Sequence, residues 1–423
     1  MQSLTYKQIQ DKNLWILDLE DIEKETSKLI IRNRINNKMF SSSKKKFVKN
    51  DVLYGKLRPY LDKVLIADED GICTTEIVPI RIYKDILPEY LRYILKSPFF
   101  LYYVNNLTYG VKMPRLGTDD AENALLPIPP LSEQKKIVNI LNSTINAIEN
   151  ITLDKEALAN VMKQTKAKVL DLAIKGKLVP QDPNDEPADK LLEKIREEKE
   201  KLIKEGKLKR DKNESYIYKN SDDNSYYEQI DGETVCIDDD LPFEIPDSWR
   251  WTKFANICEI ARGGSPRPIE AYLTNAENGI NWIKIGDTEK GGKYIYSTKE
   301  KIKPEGISKS RYVKAGDFLL TNSMSFGRPY ILKTDGCIHD GWLVINDDFK
   351  VFDQNFLYYL LSSNVMYQLL SIAAQGSTVK NLKSDTVKNV IIPIPPKREQ
   401  SQIASRIASI FSQLDTMQEI FLQ

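Results

Sequence analysis

Two segments of this chain, LLPIPPLSEQKKI (125–137) and IIPIPPKREQSQI (391–403), share one pattern at a separation of 266 residues. The pattern is an apolar pair, Pro-Ile-Pro-Pro, two variable residues and Glu-Gln. The repeat extends backwards from the prolines. Gly110 pairs with Gly376, and EYLRYIL (89–95) with NFLYYLL (355–361), at the same offset. DGICTTEIVPI (70–80) faces DGCIHDGWLVI (335–345). FVKNDVLYGKLRPYL (47–61) faces YVKAGDFLLTNSMSFGRPYIL (312–332), and Trp15 faces Trp282. A period this long excludes a solenoid and implies a duplicated domain with a connector.

Each copy reads as mixed α/β. Short β-rich runs are punctuated by Gly, Asn and Asp, as in GINWIKIGD and GWLVIN. A short helix with apolar residues at helical spacing follows, then a glycine-containing loop and the proline segment. The prolines force extended backbone and keep a helix from starting early. Ser132 then stands at an N-cap position, with Glu133 in the first turn. The motif is thus expected to be a stiff hinge from a globular body into a helix.

The first such helix is expected from Ser132 to about Ile174. One heptad column is Ile137, Thr144, Ile151, Leu158, Thr165 and Leu172; the other is Leu141, Ile148, Lys155, Met162 and Val169. The second helix carries Ile403, Ile407, Ile410, Leu414, Met417 and Phe421. Such spacing is a coiled-coil seam, and the two helices are expected to pair with each other. Pro187 opens a further, highly charged helix to about Glu205, with i, i+4 Glu/Lys pairs. The expected fold is α+β: two tandem mixed α/β domains joined by long antiparallel coiled-coil helices, an internal duplication with a pseudo-two-fold arrangement. The expected segments are 1–130, the first domain; 131–212, the central helical spacer; 213–240, a linker; 241–396, the second domain; and 397–423, the C-terminal helix.

The charge balance, 61 basic against 60 acidic residues, names no partner by itself. Its distribution is uneven. Residues 28–63 hold 11 Lys/Arg against two Asp, and 293–314 hold seven against two Glu, at equivalent places in the two copies. Basic runs of this kind suit phosphates. Cys73, Cys236, Cys258 and Cys337 are scattered singly, so neither a zinc site nor a disulfide framework is indicated. No apolar run is long enough to span a bilayer and no signal pattern opens the chain, so a cytoplasmic protein is expected.

Enzymatic signatures are lacking. His339 is the single histidine, no two glycines are spaced G-x-G, and there is no P-loop. No Asn-Pro-Pro-aromatic segment of the kind amino-methyltransferases use occurs. A duplicated domain with basic, glycine-containing loops on a helical spacer suits a two-part target on duplex DNA.

The chain resembles the DNA-specificity (S) subunit of type I restriction–modification enzymes over nearly its whole length. The residues that carry the resemblance are both PIPPxxEQ segments (127–134 and 393–400) and AIKGKLVPQDPNDEPADKLLEKIREEKEKLIKEGKLK (173–209). LPFEIPDSWRW (241–251) and GGSPRP (263–268) complete the set. The resemblance implies two target-recognition domains, each reading half of a bipartite sequence in double-stranded DNA. It implies helical regions that space them and dock two methyltransferase (M) subunits, with restriction (R) subunits added. The chain itself would be non-catalytic and bind no cofactor; S-adenosylmethionine, ATP and Mg are expected on the partner subunits.

The resemblance makes Lys56, Arg58, Tyr60, Tyr109, Lys112 and Arg115 the DNA-contact candidates of the first domain. In the second they are Gly263, Gly264, Ser265 and Arg267, then Asn322, Ser325, Gly327 and Arg328, then Gly376, Ser377, Thr378 and Lys380. Arg58, Lys112, Arg267 and Arg328 lead, because a charged donor binds a phosphate or a guanine edge. Two departures stand out. The first copy lacks a counterpart to about 249–280, including GGSPRP, and the second helix stops at Gln423. The alternative expectation is a truncated, non-directing fragment that occupies M subunits without full target recognition.

Overall fold

The computed structural model describes residues 3–4, 13–35, 43–107, 113–210, 214–289, 291–322, 326–374 and 382–422. The fold is α+β, with two tandem domain regions and one long helix, Leu131–Ile174. The chain divides into two compact units, Met1–Asp154 and Lys155–Gln423, and the division falls inside that helix.

The duplicated sequence forms duplicated sheets. In the first unit Val52–Gly55 pairs antiparallel with Val64–Ile66 on one side and Ile77–Ile80 on the other. In the second, Phe318–Thr321 lies likewise between Pro329–Leu332 and Trp342–Asn346. A second sheet repeats as well. Trp15–Leu17 runs parallel to Gly71–Thr74, which also pairs with Lys44–Phe47. Its counterpart sets Ile280–Ile283 parallel to Gly336–Ile338, beside Arg311–Val313.

The correspondence reaches single hydrogen bonds. Asp51 Oδ2 accepts from the Val48 amide at 2.9 Å, and Asp317 Oδ2 from the Lys314 amide at 2.8 Å. Asn50 and Gly316 both turn the chain through positive φ, at 71° and 104°. Buried tryptophans anchor the cores: Trp15 is packed with Phe47, Leu53 and Ile77, and Trp342 with Tyr330 and Val344. The second unit adds the strand Glu259–Arg262 against Trp342–Asn346, and Leu273–Thr274 against Glu300–Ile302.

The long helix begins at Leu131, one residue earlier than expected, so Ser132 lies inside it and is not its N-cap. The carbonyl of Pro130 receives the Glu133 and Gln134 amides instead, at 2.9 and 3.0 Å. Its far end closes at Gly176 (φ 66°). The Gly176 amide donates to Ala173 at 3.1 Å and the Lys177 amide to Leu172 at 2.8 Å, a Schellman closure. Any side chain at Gly176 would also stand 2.4 Å from Cγ of Pro246.

The expected seam is buried from Met162 toward the C-terminal end of the long helix, while at its first end it is Val138, beside the seam residue Ile137, that is buried. In the first unit Val138 packs on Tyr90 and Ile94. In the second, Val169, Leu170, Ala173 and Ile174 share a core with Ile403 and Ile407 of the C-terminal helix Lys397–Leu422. Lys166 meets Phe411 and Asp415, while Gln181 meets Glu399, so the two helices run antiparallel there. Between the two ends Ile148 and Ile151 are 58% and 56% exposed, and beyond them on the second helix Phe421 is 53% exposed. A heptad marks a face that is able to pair, whereas burial needs a helix opposite it.

The charged helix spans Ala188–Lys204, as its proline and Glu/Lys pairs predict. The stretch 213–240, expected to be a linker, is corrected. Ser215–Lys219, Tyr226–Ile230 and Glu233–Cys236 form a three-stranded antiparallel sheet. Its second turn is Asp231-Gly232, both at positive φ, as a two-residue hairpin turn requires. Tyr216, Tyr218 and Tyr227 stack across it.

Candidate nucleic-acid interface

The central strand of each unit ends in a junction of three loops. At the end of Val52–Gly55 the Lys56 amide donates to the Glu76 carbonyl at 2.9 Å, and the Lys56 carbonyl accepts from the Leu116 amide at 3.0 Å. At the end of Phe318–Thr321 the Asn322 amide donates to the Gly341 carbonyl at 3.0 Å, and its carbonyl accepts from the Leu382 amide at 2.8 Å. Lys56 and Asn322, and likewise Leu116 and Leu382, stand at the offset of the proline motif. These are backbone bonds, so the loops' side chains vary freely without breaking the junction.

In the first unit the junction brings Lys56, Arg58, Tyr60 and Arg115 together. Leu57 and Arg115 form an antiparallel bridge, and the Arg58 amide donates to the Pro114 carbonyl at 2.7 Å. Arg58 is held left-handed at φ 51°, and its Nε is buried with no hydrogen-bond partner among the described residues. A non-glycine residue in that region costs on the order of 1–3 kcal/mol and marks places where position matters more than comfort. Arg115 reaches Glu76 with two prongs, Nε to Oε2 at 3.1 Å and Nη2 to Oε1 at 3.4 Å. Tyr60 is 50% exposed. A cleft of about 460 Å³ opens beside them, lined by Asp18, Glu20, Arg58, Lys63 and Glu76. Tyr109 and Lys112 lie outside the described residues.

In the second unit the junction is organised by Asp340. Its Oδ1 accepts from the Ser265 hydroxyl at 2.8 Å and lies 3.0 Å from His339 Nε2. Its Oδ2 lies 3.7 Å from the Arg267 guanidinium. Its backbone carbonyl accepts from Asn322 Nδ2 at 2.7 Å and Arg262 Nε at 3.0 Å. Burial raises the Asp340 carboxyl, but the Ser265 hydroxyl and the nearby positive charge outweigh it and hold the group below its ordinary range. His339 Nδ1 accepts from the Gly341 amide at 2.8 Å, which leaves Nε2 to carry the proton toward Asp340.

Of the remaining second-domain candidates, Gly263, Gly264 and Asn322 pack against this cluster. Gly263 passes so close to His339 that a side chain there would stand 2.3 Å from its carbonyl, and one at Gly264 would stand 3.0 Å from the Lys309 carbonyl. Close backbone approach explains both glycines. Asn322 is 1% exposed and its amide is committed to Asp340, so it ties two loops together and presents nothing outward. Arg267 is 83% exposed at the side chain. Arg328 stacks on Tyr330, 5.3 Å from the ring centroid, after the positive-φ turn at Gly327. Ser325, Gly376, Ser377, Thr378 and Lys380 lie outside the described residues.

The basic runs are partly consumed by the fold. Arg32 pairs with Asp68 and Glu69, Arg34 with Glu69, and Lys44 with Asp18. Lys63 donates to the Leu19 carbonyl at 2.7 Å, and burial lowers its pKa. Lys293 is wrapped by Tyr294, Tyr358 and Tyr359. Charge counting therefore overstated the free basic surface. It also passed over Glu76, His339 and Asp340. Their signal was present: both repeated segments, CTTEIVPI and CIHDGWLVI, carry an acid just before the returning strand. Among the described residues no three His, Cys, Asp or Glu are placed to hold a metal ion. No described helix is long and apolar enough to cross a membrane.

The profile of the type I restriction modification DNA specificity domain matches residues 8–159 and 246–421. The chain is 29% identical over 269 residues to the type I restriction enzyme EcoAI specificity subunit of Escherichia coli, a match covering 51% of this chain and 42% of that one. It is 24% identical to the Escherichia coli EcoEI specificity subunit, over 82% of this chain and 64% of that one. These matches thus span less than two thirds of either relative. A solved chain from a study of type I R-M complex assembly and conformational transition aligns with a TM-score of 0.62 at 18% identity, over 97% of this chain and 86% of that one. The HsdS subunit from Thermoanaerobacter tengcongensis aligns at 0.54 and 18%, over 96% and 85%. At such identity both structures speak for the fold.

Proposed function

Because the chain belongs to the type I restriction modification DNA specificity domain family, we propose that it is the specificity subunit of such a system and reads a bipartite duplex target, one half-site per unit. The observation that carries this is the repeated junction. Each unit ends its central strand in the same three-loop node, and the side chains around it differ. A fixed backbone node with variable side chains is what a pair of readers for two different half-sites needs. Exposed Arg267, together with Arg58, Arg115 and Arg328, supplies forked donors for guanine O6 and N7 or for phosphate. Lys56 supplies a phosphate contact.

In this reading the chain performs no chemistry. Its helices space the two units and dock two M subunits, which bind S-adenosylmethionine and methylate adenine; R subunits with ATP and Mg add cleavage. The specificity subunits it resembles support the reading, as does the antiparallel pairing of Lys397–Leu422 with the C-terminal part of Leu131–Ile174.

The test is selection from a random duplex library with the chain assembled on its M subunits. Two enriched blocks separated by a fixed, unspecified interval are expected, with affinity falling steeply as salt rises. An assembled complex that enriches nothing would match the non-directing alternative and overturn the proposal.

A further inference from the structure

We propose that Glu76 and Asp340 are positioning residues for half-site specificity: Glu76 grips Arg115 through two hydrogen bonds, and Asp340 draws the exposed Arg267 toward the loop junction by charge. This rests on the reading above that the junction loops meet DNA.

Both acids belong to the junction itself. Glu76 lends it a carbonyl, and Asp340 directly precedes Gly341, which lends the other. Both are anchored. Asp340 is fixed by Ser265 and His339 at its carboxylate, and by Asn322 and Arg262 at its carbonyl. Glu76 is fixed through its carbonyl, and its carboxylate faces Arg115 in a two-pronged pair. The arginines, by contrast, reach solvent: side-chain exposure is 37% for Arg115 and 83% for Arg267.

The Arg267–Asp340 pair is exposed and the Arg115–Glu76 pair half-exposed; pairs open to water add little to stability, and a carboxylate beside a phosphate-binding surface repels the target. Their presence at both junctions is therefore explained by geometry. A free arginine has many rotamers to lose on binding; one already aligned by a carboxylate loses fewer. The two poses differ. Arg115 is gripped by two nitrogens, whereas Arg267 forms a looser ion pair, one nitrogen lying 3.7 Å from Asp340 Oδ2, beyond hydrogen-bond distance. The same backbone node thus presents its arginine differently in each unit, which gives different half-sites a physical basis.

The test uses the full chain assembled on its M subunits, with random-duplex selection as the readout, for wild type, Glu76→Gln and Asp340→Asn. Each variant keeps size and removes the charge. Glu76→Gln is expected to lower discrimination about tenfold or more at one position of one block, leaving the other block unchanged. Asp340→Asn is expected to do the same in the opposite block. Melting temperature should be unaltered, and low-salt affinity unchanged or higher, since one repulsive charge is gone.

Wild-type enrichment of two blocks, with both variants selecting identical sequences, would overturn the positioning role and leave the function standing. Loss of both blocks together with a fall in melting temperature would show a structural role only and equally overturn it. No enrichment by the wild type would sink the function and this inference together.

Discussion

Gln134 and Gln400 make the same three hydrogen bonds, each partner displaced by the repeat offset. Gln134 Oε1 accepts from the Leu87 amide at 2.9 Å, while Nε2 donates to the carbonyls of Asp85 at 2.8 Å and Pro129 at 2.9 Å. Gln400 Oε1 accepts from the Asp353 amide at 2.7 Å, while Nε2 donates to Val351 at 3.2 Å and Pro395 at 3.1 Å. Both side chains are fully buried. The last residue of PIPPxxEQ therefore clasps each helix to the entry of the short helix before it. The prolines set the direction of the chain, and the glutamine locks it, so the motif is a rigid joint and less of a hinge than its prolines alone suggest.

Replacing either glutamine with alanine strips a part-buried backbone amide and two carbonyls of their partner, and water can reach some of these groups. Each such group costs about 1–3 kcal/mol when left unpaired. Gln134→Ala and Gln400→Ala are expected to destabilise by about 2–4 kcal/mol each, read as a lowered urea midpoint. A midpoint unchanged in both variants would show that the clasp contributes nothing.

Glu399, the neighbour of Gln400, accepts from the buried Trp249 indole at 2.9 Å and from Gln181 Nε2 at 2.6 Å. Burial raises its pKa above the ordinary 4.5, against the pull of those two donors. A raised carboxyl pKa favours the folded state while the group is protonated, and that contribution is lost as pH rises through the folded value. Glu399→Gln cannot ionise. The stability of the variant relative to wild type should therefore increase as pH climbs from about 4.5 toward neutrality. A difference that stays flat across that window in denaturant titrations would contradict the assignment.

The C-terminal helix is held by Ile403 and Ile407, both fully buried. Ile407→Ala is expected to cost about 2–5 kcal/mol, as large-to-small core changes do. Ile148→Lys, on the exposed middle of the long helix, should change the isolated chain by no more than about 0.5 kcal/mol. Thermal melts of the two variants distinguish a paired segment from an unpaired one; equal losses would mean that the seam is continuous after all.

Thiol chemistry offers a check on the two cores. Cys236 is exposed, whereas Cys73, Cys258 and Cys337 are buried. Burial pushes the Cys73 thiol up to about 12 and raises Cys258 and Cys337 as well. At mildly alkaline pH a thiol reagent should label one of the four cysteines in the native chain quickly, and the other three only after denaturation. Rapid labelling of Cys73 would contradict the packing of the first unit.

Much of the architecture was legible because duplication writes its own alignment. The offset between the proline motifs paired the segments that form the sheets; the Asp51 and Asp317 turns and the Lys56 and Asn322 junctions keep that offset but show themselves only in the fold. Proline and the heptad columns marked the ends of the long helix within a residue or two. What escaped notice depended on partners. The heptad gave no sign that Ile148 and Ile151 would stand exposed, since periodicity describes a face and not its neighbour. The sheet at 215–236 was hidden by its acidic composition, although SYIYK alternates and Asp231-Gly232 is a hairpin turn. Around the junctions, residue type favoured the arginines. The acids that orient them, Glu76 and Asp340, are ordinary carboxylates in sequence and gain their role from hydrogen bonds made across loops.

The most direct measurement of the central claim is the methylation pattern in cells. The chain would be co-expressed with its M subunits in a host lacking other adenine methylation, and N6-methyladenine mapped along single DNA molecules. The account predicts methylation confined to a two-part motif with a fixed unspecified interval. An assembled complex that leaves adenines unmethylated, or methylates one uninterrupted motif, would contradict it.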